Sequence, residues 1–289
     1  MNKMPENRSE PVSGCVNLHG KIEAVVFDLD DTILHDDLSI SAYTVQVFRR
    51  LQKEHIHLIA ASGRAQQSMK PYVDQLGCIS VYISCNGAEI WHGVTDELIY
   101  QDLLSPELSM EIADFGEKHD CYSQTYEGKY FCFNRYGKFA ESYARSSRLT
   151  GRYVGDLRQY IREPRNKILM MDDEHKIAQM YQEAVKQFGG RVSVTCSKPY
   201  YLEFNPLNAT KGKALALASS YLGIDVGNVI AFGDSLNDLS MFETAGFAVI
   251  VENGWESVRS SCDFVCGANN DDGPARFLEE RCLTEELPL

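Results

Sequence analysis

Three features of the sequence predict a doubly wound α/β fold, with a Rossmann-like parallel sheet and helices on both faces. They are short unbroken apolar runs, helical stretches between those runs, and acidic or glycine-rich clusters where the runs end. A strand buried on both faces has no polar side to alternate with, so it reads as continuous Val, Ile, Ala and Phe. The same pattern predicts a break in the middle of the chain, where a separate α+β unit is inserted. At 289 residues and 44% hydrophobic content, the chain exceeds the usual single-core size, which also favours two packed units.

Residues 1–20 are polar and interrupted by Pro5, Pro11 and Gly14, so a flexible leader is expected before a fold that begins at Lys21. Ala24-Val25-Val26-Phe27 is the first buried strand and stops at Asp28. A helix is predicted over 41–54, where Tyr43, Val47, Phe48 and Leu51 recur at near-helical spacing, followed by a second strand over 56–61. A helix near 65–76 leads to a third strand over 81–84, which runs into Cys85-Asn86-Gly87.

The alternation then gives way to hairpin-like pieces at 122–126 and 129–133 around Glu127-Gly128, with helices near 106–119 and 137–149. A strand at 168–171, a helix over 174–188 and strands at 191–195 and 200–204 complete this unit. Helix and strand alternate again at 211–222, 229–232, 236–244, 247–251 and 263–265, and the acidic stretch 269–273 reads as a loop. The catalytic core is therefore expected to be discontinuous, 21–87 and 205–289, around a cap domain at 88–204.

Composition narrows the function classes. A net charge of −13, from 41 acidic and 28 basic residues, argues against a general nucleic-acid-binding surface. No apolar run has the length of a membrane span and the opening residues lack a signal-peptide pattern, so no membrane association and a cytoplasmic location are expected. The nine cysteines read as reduced thiols. Cys262 and Cys266 lack a second pair or a nearby histidine and read as a buried strand pair rather than a zinc knuckle. His55 and His57 would share a strand face, but no third ligand is in view, and both read as structural.

The chemistry is expected where the strands end. Asp28-Leu29-Asp30-Asp31-Thr32 brings two carboxylates to the end of a buried strand, where open α/β sheets form their ligand crevice. Asp28 can attack phosphorus, and Asp30 can protonate the leaving oxygen and then activate water. Capping of a following helix is the alternative for this cluster. Gly233-Asp234-Ser235-Leu236-Asn237-Asp238 follows another buried run, and two acidic clusters at one sheet edge suggest Mg2+ bound by Asp28 and Asp234. Asp238 fits a supporting role beside the metal shell, with capping by Ser235 and Asn237 as the alternative. Ser62 and Gly63, in Ala61-Ser62-Gly63-Arg64, suit a phosphate oxygen. Lys211 opens a helix, where a cation is disfavoured unless an anion offsets it, as a bound phosphate would; a solvated first turn is the alternative for Lys211 and Lys213.

In order, FDLDDT, ASGR, ATKGK and GDSLND resemble the four motifs of the haloacid dehalogenase superfamily, over roughly residues 21–279. The long insert and Cys85-Asn86-Gly87-Ala88 resemble its Cof-type branch, mostly sugar-phosphate and nucleotide-related phosphatases. The resemblance implies that Asp28 is nucleophile and metal ligand, that Asp30 is acid/base with a metal-binding main-chain carbonyl, and that Asp234 is the third metal contact. It implies phosphate binding by Ser62 and Lys211, a place near substrate for Asn86 and Gly87, and support of the metal shell by Asn237 and Asp238. The chain departs from the family at Val251-Glu252-Asn253-Gly254, where Glu252 adds negative charge, and at Ser62, where Thr is usual.

The expected function is magnesium-dependent hydrolysis of a small phosphorylated metabolite, a sugar phosphate or a nucleotide- or flavin-related phosphate, through an aspartyl-phosphate. A phosphosugar mutase of the same superfamily and a catalytically silent phosphometabolite-binding regulator are the rival readings. Tyr126, Tyr130, Arg135 and Arg145 are candidate cap contacts to substrate, with packing or solvation as the alternative for each. The sequence leaves monomer and dimer equally open.

Overall fold

The computed structural model of the chain describes residues 22–283; the expected leader at 1–20 lies outside them. The first part runs β1 (Ala24–Phe27), α1 (Ala42–Lys53), β2 (His57–Ala61), α2 (Gln66–Leu76), β3 (Val81–Ser84), β4 (Glu89–His92) and β5 (Leu98–Gln101). The middle part is α3 (Pro106–Lys118), β6 (Tyr122–Glu127), β7 (Tyr130–Phe133), α4 (Lys138–Ser147), β8 (Thr150–Tyr153), α5 (Leu157–Tyr160), β9 (Ile168–Met171), α6 (Glu174–Phe188), β10 (Val192–Thr195) and β11 (Tyr201–Pro206). The last part is α7 (Lys211–Leu222), β12 (Val229–Gly233), α8 (Leu239–Thr244), β13 (Phe247–Val251), α9 (Glu256–Arg259), β14 (Phe264–Cys266) and α10 (Gly273–Cys282).

The first and last parts share one sheet in the order β14-β13-β12-β1-β2-β3-β4-β5, parallel from β14 to β3. Its two faces bury different residues, as a doubly wound sheet requires. Val25, Phe27, Leu58, Phe232 and Val249 pack with α1, α2 and α10 on one side, while Ala24, Val26, Ile59, Ala231 and Ile250 pack with α7, α8 and α9 on the other. The middle part forms a second sheet, β10-β11-β9-β6-β7-β8. One face of it packs on α3 and α6 through residues such as Ile168, Leu202 and Phe204.

Several expectations need correction. The large sheet does not end at residue 88, because β4 and β5 continue it as an antiparallel pair and the second sheet begins only at Tyr122. Those two strands are short and partly solvated, so they lack the unbroken apolar run that marked β1 to β3. β8 is exposed along its whole length and gave no hydrophobic signal. The loop expected at 269–273 passes directly into α10, whose Pro274 lies in the first turn.

The eight described cysteines are buried. Only Cys266 of the expected strand pair lies on a strand; Cys262 precedes it, and the two pack on opposite faces of the sheet. His55 sits in a left-handed turn (φ 62°) ahead of β2, so it does not share a strand face with His57. Among the described residues, no helix is long and apolar enough to cross a membrane.

Candidate active site

Because β1, β2, β3 and β12 are parallel neighbours in register, they deliver Asp28, Ser62, Cys85 and Asp234 to the same edge of the sheet. Asp28 continues the ladder, its N–H donating to the Phe232 carbonyl at 3.0 Å. The chain then turns tightly on the Leu29 carbonyl, which accepts from the N–H groups of Thr32, Ile33 and Leu34. No helix starts there. Ser41 caps α1 by accepting from the Thr44 N–H, which removes the capping alternative for the Asp28–Thr32 cluster.

Behind this edge lies a buried charge cluster. Lys211 Nζ is 2.8 Å from Asp28 Oδ1 and 2.6 Å from Asp238 Oδ1, and all three residues are buried. Asp28, Asp234 and Asp238 each offer a carboxylate oxygen within 4.8 Å of the others. Asp238 is already engaged, since its Oδ2 accepts from the N–H groups of Asp234 (2.9 Å) and Ser235 (3.1 Å). Asp28 Oδ1 is less engaged, with the Lys211 ammonium that it shares with Asp238 as its close partner. Thr32 Oγ1 donates to Asp234 Oδ1 over a long 3.3 Å.

Burial pushes the Asp28 carboxyl up to about 7, with Lys211 opposing and Asp238 and Asp30 reinforcing the rise. Burial, with Asp238 and Asp28 beside it, also holds Asp234 well above its ordinary value. Burial works against the Lys211 ammonium, but Asp238 and Asp28 more than offset it and its pKa is raised. Three carboxylates gathered about one buried ammonium are a donor set that fits a hard divalent cation.

Asp30 is held separately. Arg64 Nε and Nη2 grip its two oxygens at 2.7 Å each, and Arg64 Nη1 donates to the Ser146 carbonyl at the end of α4. Burial would raise the Asp30 carboxyl, but the charge and hydrogen bonds of Arg64 prevail and hold it below its ordinary value. Asp28, Asp30, Ser62, Gly63, Arg64 and Asn237 form the core side of a cavity of about 50 Å³. Across it stand Tyr143, Lys167, Lys198, Tyr201 and Glu203 of the inserted unit.

Not every expected residue reaches this cavity. Asn86 bridges the two units instead, with Nδ2 donating to Glu203 Oε2 (2.9 Å) and Oδ1 accepting from Asn237 Nδ2 (3.1 Å). Gly87 is required by packing: at φ 108°, a Cβ there would lie 2.5 Å from the Thr210 carbonyl oxygen. Lys211, Asp234 and Asp238 sit behind the lining rather than in it.

None of the four candidate cap contacts lines the cavity. The hydroxyls of Tyr126 and Tyr143 hydrogen-bond each other, Arg152 stacks over Tyr130, Arg135 pairs with Asp120, and Arg145 on α4 lies off the lining. Sequence reasoning missed Arg64, although it ends the quoted S-G-R, and missed Lys167, Lys198 and Glu203. Glu203, a charge inside the apolar run 200–204, was the readable signal among these.

With this geometry in view, comparison with known proteins is informative. The sequence model for haloacid dehalogenase-like hydrolases matches residues 25–278. The chain belongs to this family. A Bacillus subtilis 5-amino-6-(5-phospho-D-ribitylamino)uracil phosphatase, YitU, is 27% identical over 267 residues, covering 89% of this chain and 96% of the relative. A haloacid dehalogenase-like hydrolase from Bacteroides thetaiotaomicron superposes with a TM-score of 0.79 at 27% identity, over 89% of this chain and 98% of its own. Thermotoga maritima TM0651 does so with 0.76 at 29% identity, over 91% and 98%. Family membership and the phosphatase class read from the sequence agree with these relatives, and the two-sheet architecture matches that of the solved hydrolases.

Proposed function

We propose that this haloacid dehalogenase-like phosphatase hydrolyses small phosphomonoesters through a phosphorylated Asp28, with magnesium as cofactor. The observation that carries the reading is the buried Asp28 carboxyl, which lines a cavity that also holds Asp30 and Ser62 and lies within reach of the Asp234 and Asp238 carboxylates. Magnesium would be held by the Asp28 and Asp234 carboxylates and, by family resemblance, the Asp30 main-chain carbonyl. When bound, it supplies positive charge that offsets the clustered carboxylates and the incoming phosphate.

In the first step an Asp28 oxygen attacks phosphorus, and the P–O bond to the leaving alcohol breaks as Asp30 gives that oxygen its proton. The negative charge of the entering phosphate raises the proton affinity of Asp30 for this role. In the second step water attacks phosphorus, Asp30 takes the water proton, and the Asp28–phosphorus bond breaks to release inorganic phosphate. Arg64 favours the carboxylate form that the second step needs. Ser62 is assigned to a phosphate oxygen, while Lys211 favours the ionised form of Asp28 and orients it, with Asp238 supporting Lys211.

A cavity of about 50 Å³ accepts little more than a phosphoryl group, whereas pockets for whole small ligands span about 300–1,000 Å³. Substrate entry therefore requires the inserted unit to move as a lid. Tyr143, Tyr201 and Lys198 would meet the leaving group, a polar and aromatic surround that suits a sugar or ribityl chain. The named substrate of the Bacillus subtilis relative is a ribityl phosphate of this kind.

The test is phosphate release from a panel of sugar, ribityl and nucleoside phosphates, with magnesium or with chelator, for the wild type beside Asp28→Asn. Magnesium-dependent release that disappears in the variant is expected. Tight phosphate binding without turnover would instead support a silent binding protein, and an isomerised phosphosugar would support a mutase.

A further inference from the structure

On the cap side of the cavity, outside all four motifs, Lys167 and Glu203 form a buried ion pair. Lys167 precedes β9 and Glu203 lies on the adjacent strand β11; they are 2% and 1% exposed, with Nζ 2.5 Å from Oε1. Burying two charges is costly, and an apolar pair of similar volume commonly serves stability as well or better. What an apolar pair could not supply is the second contact of Lys167, whose Nζ donates to the Gly63 carbonyl at 2.7 Å.

That contact completes a pattern. The Ser62 carbonyl accepts from the Asn86 N–H (3.0 Å) and the Arg64 carbonyl from the Cys85 N–H (2.8 Å). Cys85 and Asn86 adopt consecutive left-handed conformations, φ 50° and 56°, to present those two donors. Every carbonyl of Ser62-Gly63-Arg64 is thus tied down, two by a core turn and one by a cap lysine. A peptide group is planar, so fixing the Gly63 C=O also fixes the opposed N–H of Arg64. That N–H donates to Ser62 Oγ at 3.1 Å and so orients the hydroxyl assigned to phosphate.

We propose that Lys167, charge-balanced by Glu203, is a positioning residue for the phosphate-binding loop. Through it the cap helps bind the phosphoryl group common to every substrate, in addition to meeting the leaving group. The other Glu203 oxygen extends the same tie through Asn86 to Asn237. This assignment rests on the phosphatase reading of Ser62 and Gly63.

The decisive variant is Lys167→Met with Glu203→Gln, which removes both charges and leaves an amide oxygen to accept from Asn86 Nδ2. Binding of inorganic phosphate in magnesium is measured by calorimetry on the full chain, beside kcat/KM for several phosphomonoesters and the urea midpoint. We expect a midpoint close to wild type and phosphate affinity weakened about ten- to hundredfold, the range for one lost charge-assisted hydrogen bond. The loss in kcat/KM should be of similar size for every substrate, and Lys167→Arg should recover much of it.

A folded double variant that binds phosphate like wild type would make the pair merely structural and overturn the proposal. A reordered substrate preference at unchanged phosphate affinity would overturn it too, making Lys167 a leaving-group contact. Should the double variant not fold, Lys167→Gln, which removes the ammonium but keeps a neutral donor beside Glu203, carries the same expectation and the same refutation. A wild type that neither binds nor releases phosphate in magnesium removes the underlying phosphatase reading as well.

Discussion

Two fully buried lysines face the same cavity region from opposite sides and meet different surroundings. Lys211 of the core is wedged between Asp28 and Asp238 with Asp234 nearby, so carboxylates outnumber the cation. Lys167 of the cap meets Glu203 alone, and its other hydrogen bond goes to a neutral carbonyl. The first site is electrostatically incomplete and the second is closed. Surplus charge at the price of burial is where a cation and an anionic substrate gain most, whereas a balanced pair serves to hold other groups still.

The most severe way to break this comparison is to remove the nucleophile. Asp28→Asn should lower turnover by about a thousandfold or more, as loss of a covalent catalyst does, with the folded state retained by circular dichroism. Its counterpart in the cap, Glu203→Gln, should leave measurable turnover. Equal losses in the two variants would erase the distinction between a reacting and a positioning carboxylate.

Truncating the lysines one at a time sharpens it. Lys211→Met and Lys167→Met should each destabilise by about 3–5 kcal/mol in urea denaturation, because each strands buried carboxylate charge. Magnesium should restore part of the stability of Lys211→Met, where a second cation can compensate the same carboxylates, and none of that of Lys167→Met. Rescue of both, or of neither, would contradict the assignment of the metal site to the core cluster.

A smaller effect follows from pH. In the metal-free chain Asp28 is raised to about 7 and Asp234 well above its usual value. A carboxyl raised by folding contributes stability that is full below its unfolded value, near 3.8, and is lost as pH rises through about 7. Magnesium competes with those protons, so its stabilisation should be weak near pH 5 and grow toward about 3 kcal/mol at pH 7.5 when the ion is at roughly a hundredfold excess over its Kd. Thermal melts at the two pH values, with and without magnesium, read this directly; a constant increment would place the ion elsewhere.

The least change is expected from Lys198→Ala. Lys198 lines the cavity and lies 3.7 Å from Asp31, without a role in the charge cluster. It should alter KM by about threefold, in a substrate-dependent way, at nearly constant kcat. A uniform fall in kcat would instead assign it to the chemical step.

How far the chain could be read by eye differs between the two units for a physical reason. Strands β1, β2, β3 and β12 are buried on both faces, so their apolar runs are unbroken and the residue after each run is marked as a site position; Asp28, Ser62 and Asp234 were found that way. The exposed β8 and the half-solvated β4 and β5 had no such run, which is why the sheet continues past the expected break at 88. In the cap, Tyr126 and Arg135 stood out by residue type yet serve packing and a surface ion pair. Lys167 looked like an ordinary residue before an apolar strand.

The sequence by itself determined the doubly wound core, the presence of an insert, and the carboxylates and hydroxyl that gather at one sheet edge, because each follows from local periodicity and from where buried runs stop. The tertiary structure alone decided which of those groups are partnered. It gave Asp30 to Arg64, turned Asn86 into a bridge, left Asp28 and Asp238 to share one buried ammonium, and set a cap lysine against the Gly63 carbonyl. Those outcomes depend on contacts between segments distant in the chain, 34 residues apart for Asp30 and Arg64 and 104 for Lys167 and Gly63, and on the loss of solvent at their meeting point.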